Sequence, residues 1–205
     1  MCGIAGIISD NPSALAGMGS MLSVLAHRGP DGSGVYAGAG AVLGHVRLAI
    51  IGIESGGQPM TVPGSGCWIT YNGECFNYRE LRAELESLGD RFRTDSDTEV
   101  VLAAYLRWGP DCLRRINGQF AFGVWNESDR TLFLARDRVG IRPLYYARTR
   151  DRFLFGSEIK SLLVHPGVDA APDPVGLGRV FTLWGVPAPD TVFAGVRQLE
   201  PGHWM

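Results

Sequence analysis

A chain of 205 residues with 45% apolar and 20% charged residues carries enough apolar side chain for a sizeable core. Its formal net charge of −2 comes from interspersed signs, which removes the electrostatic basis for a nucleic-acid or membrane-surface partner, and no apolar run approaches the ~18–20 residues that cross a bilayer. The cysteines at positions 2, 67, 75 and 112 form no CxxC pair and no zinc-finger spacing, so neither a metal site nor a redox dithiol nor a disulfide framework is expected; without a charged leader, the expected compartment is the cytoplasm.

Met1-Cys2-Gly3-Ile4-Ala5-Gly6-Ile7 opens the chain with a thiol at its second position, and the small and apolar residues behind it predict an inner strand over Gly3–Ile8. Once Met1 is removed, Cys2 carries a thiol and an α-amino group of unperturbed pKa ~7.7–8.0, nucleophile and base in one residue. On these residues alone a buried structural thiol is the stronger alternative. Leu15, Met18, Leu22 and Leu25 recur at helical steps after Pro12 and predict a helix from about Ser13 to Ala26. His27-Arg28-Gly29-Pro30-Asp31-Gly32-Ser33-Gly34 reads as a loop, Ala41–Ile51 as a long strand, and Gly56–Pro59 as a polar gap.

Cys67–Tyr71 predicts a short strand whose Asn72-Gly73 end would ordinarily close a tight hairpin. Asn77 and Ser96 each stand three residues before a Glu, the capping-box spacing, and predict helices reaching about Leu88 and Trp108. Strands follow over Gly118–Asn126, Thr131–Arg136, Leu144–Ala147 and Arg152–Gly156, then helical turns over Ser157–Leu163 and a helix over Pro174–Leu183 behind a capping Asp173. Val192–Met205 reads as two short strands about a turn. Strands, helices, strands, helices in that order predict an α+β layered sandwich of mainly antiparallel sheets. The apolar ending His203-Trp204-Met205 raises the expectation that 1–205 is one domain of a longer chain.

Eight stretches in order carry a resemblance over nearly the whole chain: MCGIAGI at 1–7, HRGPDGSG at 27–34, GHVRLAIIG at 44–52, YNGECFNYREL at 71–81, SDTEVVLAAY at 96–105, NGQFAFGVW at 117–125, ARDRVGIRPLYY at 135–146 and FGSEIKSLL at 155–163. Together they resemble the glutaminase domain of glutamine-hydrolysing asparagine synthetases, a class II glutamine amidotransferase of the N-terminal-nucleophile hydrolase superfamily. The resemblance implies a four-layer αββα sandwich, two antiparallel sheets between helix layers, and hydrolysis of L-glutamine to glutamate and ammonia through a Cys2 thioester. Within the superclass, GHVRLAIIG and NGECFN look like the asparagine-synthetase branch.

Carried onto this sequence, the family pattern makes Cys2 the nucleophile and gives the oxyanion to the Asn72 side-chain amide and the Gly73 N–H, with Gly73 letting the backbone come close to the substrate. Arg47 is assigned the substrate carboxylate, Asp97 its ammonium with Glu74 nearby, and Leu48 and Ile50 the pocket walls. An acidic residue in a first helical turn is stabilising without any ligand, so Asp97 also has a purely structural reading. His27 and Arg28 border the site in the family and are second-rank candidates, His45 reads as structural, and Asp137, Arg138 and Glu158 read as ion pairs holding layers together. Cys75 and Phe76 stand where the family has an aliphatic residue and Tyr, which leaves Cys75 either inert or a second reactive thiol near the site.

No SGGxDS stretch occurs, so the resemblance implies no cofactor for this part; ATP and Mg are expected only for an absent C-terminal synthetase domain, the implied partner in the parent chain. A homodimer stays open. Two rival readings remain, a non-catalytic glutamine-binding regulatory module and the glutaminase half of an amidotransferase acting on a polysaccharide or secondary metabolite.

Overall fold

A computed structural model describes residues 1–205. Two antiparallel sheets form its centre. The first has six strands: β1 (Gly3–Ile8), β2 (Gly32–Gly38), β3 (Ala41–Arg47), β8 (Tyr145–Arg148), β9 (Phe153–Gly156) and β10 (Arg197–Gln198), in the order β10-β8-β9-β1-β3-β2. The second has four: β4 (Met60–Thr61), β5 (Cys67–Cys75), β6 (Gly118–Asn126) and β7 (Thr131–Arg136), neighbours in that order. Helices α1 (Met18–Leu25) and α5 (Ile159–Leu163) pack on the outer face of the first sheet, while α2 (Tyr78–Ser87) and α3 (Asp97–Trp108) cover the outer face of the second. The short α4 (Cys112–Arg115) and α6 (Pro174–Leu183) complete the set, and the expected αββα sandwich is what the chain adopts.

Strand alternation sorts the core into three layers. On β1, Ala5 and Ile7 face α1 while Ile4 points into the space between the sheets, where it meets Leu43, Ala121, Trp125, Leu134 and Phe155. Phe120, Phe122 and Val124 of β6 turn the other way, onto α3. Phe155 is wholly buried between the sheets, and a Cβ on Gly6 would overlap its ring. Phe155→Ala is therefore expected to cost about 3–5 kcal/mol of stability, a void that glycine backbone on both sides cannot refill, read as a lowered urea midpoint at unchanged slope.

Several local expectations are corrected. The helix expected from Ser13 splits into a 3-10 turn over Pro12–Leu15 and α1, because Gly17 sits at φ +110° between them. The loop expected over 27–34 gives way to β2 at Gly32, which pairs with β3 from Gly32↔Arg47 to Gly38↔Ala41. The strand expected to reach Ile51 stops at Arg47, since the next two N–H groups go to side chains, Leu48 to Cys2 Sγ and Ala49 to Asp31 Oδ2.

Asn72-Gly73 is not a turn: β5 continues to Cys75, with Asn72 opposite Ala121 and Gly73 opposite Phe120. Neither capping box closes. Asn77 instead bridges Arg115 O and Asn117 N, and the Glu99 carboxylate accepts from Arg93 and Thr94 N–H groups; Ser96 does cap α3, accepting from Thr98 N at 3.2 Å. Of the two strands expected near the C-terminus, only Arg197–Gln198 forms, and Trp204 makes a single bridge to Ala135. No helix is long and apolar enough to cross a membrane.

Candidate active site

All eight candidate residues, Cys2, Arg47, Leu48, Ile50, Asn72, Gly73, Glu74 and Asp97, line one cleft of about 570 Å³ at one end of the two sheets. Cys2 stands just before β1, the strand held between β3 and β9. Its Sγ accepts from Leu48 N at 3.3 Å and its carbonyl from Arg28 Nε at 2.8 Å. Arg28 also binds Glu158 at 2.8 Å, and the same carboxylate reaches His27 Nε2 at 2.9 Å and Lys160 at 3.2 Å. The motif loop at 27–28 thus fixes the main chain of residue 2.

The opposite wall is the free edge of β5. β4 pairs only with Trp68 and Ile69, so beyond them the outward N–H groups of β5 have no neighbouring strand. Tyr71 N donates instead to Gln58 Oε1 at 2.7 Å and Cys75 N to Asp97 Oδ2 at 3.0 Å. Alternation turns the Gly73 N–H the same way, between those two and toward the cleft. The glycine has a packing reason of its own: a Cβ at position 73 would overlap Gln119 O on β6, so the close approach it permits is to the neighbouring strand. Asn72 is 1% exposed, and its Nδ2 finds no hydrogen-bond partner in the protein. A buried amide donor without a partner is costly, by ~1–3 kcal/mol, and marks a place where a ligand oxygen fits.

Charges complete the cleft. Arg47 donates to the carbonyls of Ile53 at 2.8 Å, Gly52 at 2.6 Å and Ile51 at 3.4 Å, which holds the guanidinium against the loop after β3. Asp97, 5% exposed, has its carboxyl pushed above the ordinary carboxylate range, chiefly by burial and further by Glu74, with the Cys75 N–H opposing. None of Arg47, Glu74, Asp97 and Arg142 enters an ion pair within the protein. A cleft bearing two unpaired cations and two unpaired carboxylates is suited to a zwitterion.

Below the cleft, burial brings the His45 imidazole down to about 4, so it is neutral at pH 7; neither ring nitrogen has a hydrogen-bond partner. The Tyr71 hydroxyl is buried beside the Asp97 carboxylate but outside hydrogen-bond geometry. Ile50 is exposed on the rim and Leu48 half-buried, and no segment beyond Leu48 continues the sheet.

The sequence reading missed Gln58, Tyr71, Ser96, Thr98 and Arg142, which line the same cleft. Arg142 lies inside the matched stretch at 135–146, and that was the one signal available for it; Gln58 sits in a polar gap with no pattern at all.

The ambiguity over Cys75 resolves toward an inert thiol. It is wholly buried, and burial, with Asp97 adding, pushes it up to about 12; Cys112 is likewise buried and pushed up to about 12, and Cys67 is buried and raised. Cys2 alone is half-exposed. Iodoacetamide on the folded chain is expected to add one carbamidomethyl group, mapped to Cys2, and four after unfolding in urea, read by intact mass and peptide mapping.

The fold has counterparts among solved structures. It matches the structure of the allosteric regulatory enzyme of purine biosynthesis with a TM-score of 0.70 over 99% of this chain and 46% of that one, at 24% identity. The glutamine phosphoribosylpyrophosphate amidotransferase of Bacillus subtilis matches with a TM-score of 0.62 over 80% of this chain and 43% of that one, also at 24% identity. The sequence carries the assignment further: the chain belongs to the glutamine amidotransferase domain family, whose model it matches over residues 1–205.

Relatives include asparagine synthetase [glutamine-hydrolyzing] 3 of Bacillus subtilis, 43% identical over 99% of this chain and 34% of the relative, and asparagine synthetase [glutamine-hydrolyzing] 1 of the same organism, 41% identical over 98% and 33%. Amidase chry2 of Gibberella zeae is 34% identical over 100% of this chain and 32% of its own length. The chain therefore spans about a third of the length of the curated relatives it matches.

Proposed function

We propose that this chain is a glutaminase domain that hydrolyses L-glutamine to L-glutamate and ammonia, with Cys2 as nucleophile after loss of Met1. The observation that carries the reading is the buried, unpartnered Asn72 amide beside the outward Gly73 N–H, across a cleft from the half-exposed Cys2 thiol. The Cys2 α-amine takes the thiol proton, and the thiolate attacks the side-chain amide carbon. The carbonyl electron pair moves onto oxygen, held by Asn72 Nδ2 and Gly73 N–H. The carbon–nitrogen bond breaks, ammonia leaves with the proton, and water then displaces the thiol from the thioester.

Recognition follows the charges. Arg47 takes the α-carboxylate, Asp97 and Glu74 take the α-ammonium, and Leu48 and Ile50 wall the methylenes. An ammonium against Asp97 would compensate a carboxylate that burial otherwise disfavours.

The relatives' lengths support a parent chain in which residues 1–205 form one domain and a C-terminal synthetase domain, using ATP and Mg, consumes the ammonia to make asparagine. The likeness to amidase chry2 favours a second reading of that acceptor, a different amidated product from the same glutaminase step. Four unbridged cysteines fit a reducing compartment, and we take it to be the cytoplasm. The test is direct: the processed chain incubated with glutamine should release glutamate and ammonia in equal amounts, and binding of glutamine without release would leave only a binding module.

A further inference from the structure

A free amino acid brings one carboxylate and one ammonium to the cleft. On the reading above these occupy Arg47 and the Asp97–Glu74 side, which leaves Arg142 with no group of the free amino acid assigned to it. Its main chain is fixed at both polar atoms. The N–H donates to Asp137 Oδ2 at 3.0 Å, and the carbonyl accepts from Arg136 Nε at 2.8 Å. Asp137 and Arg136 are themselves 1% and 6% exposed. The side chain, by contrast, makes no hydrogen bond or ion pair within the protein, and its Nε is buried without a partner. A guanidinium partly withdrawn from water is unfavourable unless an anion completes it.

The anchoring places Arg142 at one end of the cleft. Asp137 Oδ2 also accepts from Phe120 N at 3.2 Å, and Phe120 lies directly opposite Gly73 in the β5–β6 ladder. Arg142 is thus held at the Asn72–Gly73 end, while Arg47 is tied to the carbonyls of residues 51–53 on the other wall. Negative charge is created at that end during the reaction. It appears on the carbonyl oxygen when the carbon–sulfur bond forms and again when water attacks the thioester. It stays when that bond breaks, because glutamate leaves with a side-chain carboxylate where glutamine had a neutral amide.

We propose that Arg142 is the counter-charge for this developing and final negative charge, a catalytic residue that also makes the site hold its product more tightly than its substrate. The proposal rests on the glutaminase reading. It assigns Arg142 to the reacting end of the ligand and Arg47 to the amino-acid end, so the two arginines should separate by ligand chemistry.

The experiment is calorimetric titration of glutamine and glutamate into Cys2→Ala protein, with and without Arg142→Met or Arg142→Lys. Arg142→Met is expected to weaken glutamate about tenfold or more and glutamine less than about threefold, with Arg142→Lys recovering part of the glutamate affinity. With Cys2 intact, the same change should lower kcat at nearly constant KM and raise the inhibition constant for glutamate. Equal weakening of both ligands would make Arg142 a second clamp for the α-carboxylate and overturn the proposal, as would unchanged glutamate affinity. If the Cys2→Ala protein binds neither ligand, the glutaminase reading falls and takes this one with it. Because the guanidinium bonds to nothing in the protein, the melting temperature of the variant should match the parent's, so a folding defect is separable from a binding one.

Discussion

Cys2→Ala is expected to lower the rate of glutamate release from glutamine by about 10⁴-fold or more, with the dissociation constant for glutamine changed by less than about threefold. The size follows from removing the only atom that forms the covalent bond; no other thiol can replace it, since Cys67, Cys75 and Cys112 are all buried. Small affinity change follows because the thiol's contacts are both to the Leu48 main chain, whose N–H donates to Sγ at 3.3 Å and whose carbonyl accepts from it at 3.5 Å, away from the charges proposed to hold an amino acid. Retained Met1 should have the same consequence as the substitution, since residue 2 would then present an amide in place of an amine. Intact-mass measurement on each preparation, set beside its rate, separates the two causes. Wild-type turnover by the alanine variant, or by chains that all keep Met1, would sink the nucleophile assignment.

Asn72→Ala is the second large effect, a fall in kcat of about 10²–10³-fold with KM for glutamine nearly constant. Its stability signature is unusual for a residue only 1% exposed. Nδ2 donates to nothing in the protein, so truncation removes an unsatisfied donor instead of breaking a bond. Relief of ~1–3 kcal/mol therefore offsets the void left behind, and the melting temperature should hardly move. Asn72→Asp should be worse for rate than the alanine, because it sets a negative charge where the oxyanion forms. A loss of kcat below about fivefold in Asn72→Ala would remove the amide from the oxyanion role.

Where periodicity or alternation is a property of one segment, the sequence reading and the structure agree. β1, β6, β7 and α3 appear with bounds equal or nearly equal to those expected, because each buries a continuous face of its own. Asn72-Gly73 misleads because a hairpin signal is local, whereas the partner that keeps β5 straight is β6, more than forty residues further along. The end of β3 could not be read either: Leu48 leaves the sheet because its N–H is claimed by Cys2 Sγ, a contact across 46 residues.

The same distinction divides the site. Cys2, Arg47 and Asn72-Gly73 were found through a resemblance carried by many motifs, and the structure brings them to one cleft. Arg142 carries no pattern of its own, since its position is set by the buried Asp137 and Arg136 that grip its main chain. Reading Asp137 as a layer-holding ion pair missed what it does. Its carboxylate gathers four N–H groups, those of Phe120, Val139, Ile141 and Arg142, and so shapes a loop.

The shortness of β4 has a wider meaning. Four more paired residues would satisfy the outer edge of β5 as far as Gly73 and add to the sheet, but they would also cover the Gly73 N–H and displace the Gln58 side chain from Tyr71 N. A mutation that improves folding along this edge would thus close the surface on which the proposed oxyanion site rests. Selection on foldability alone and selection on chemistry pull in opposite directions at these few residues, and an engineer seeking a hardier version of the domain should reinforce the far ends of the sheets and leave this gap unmended.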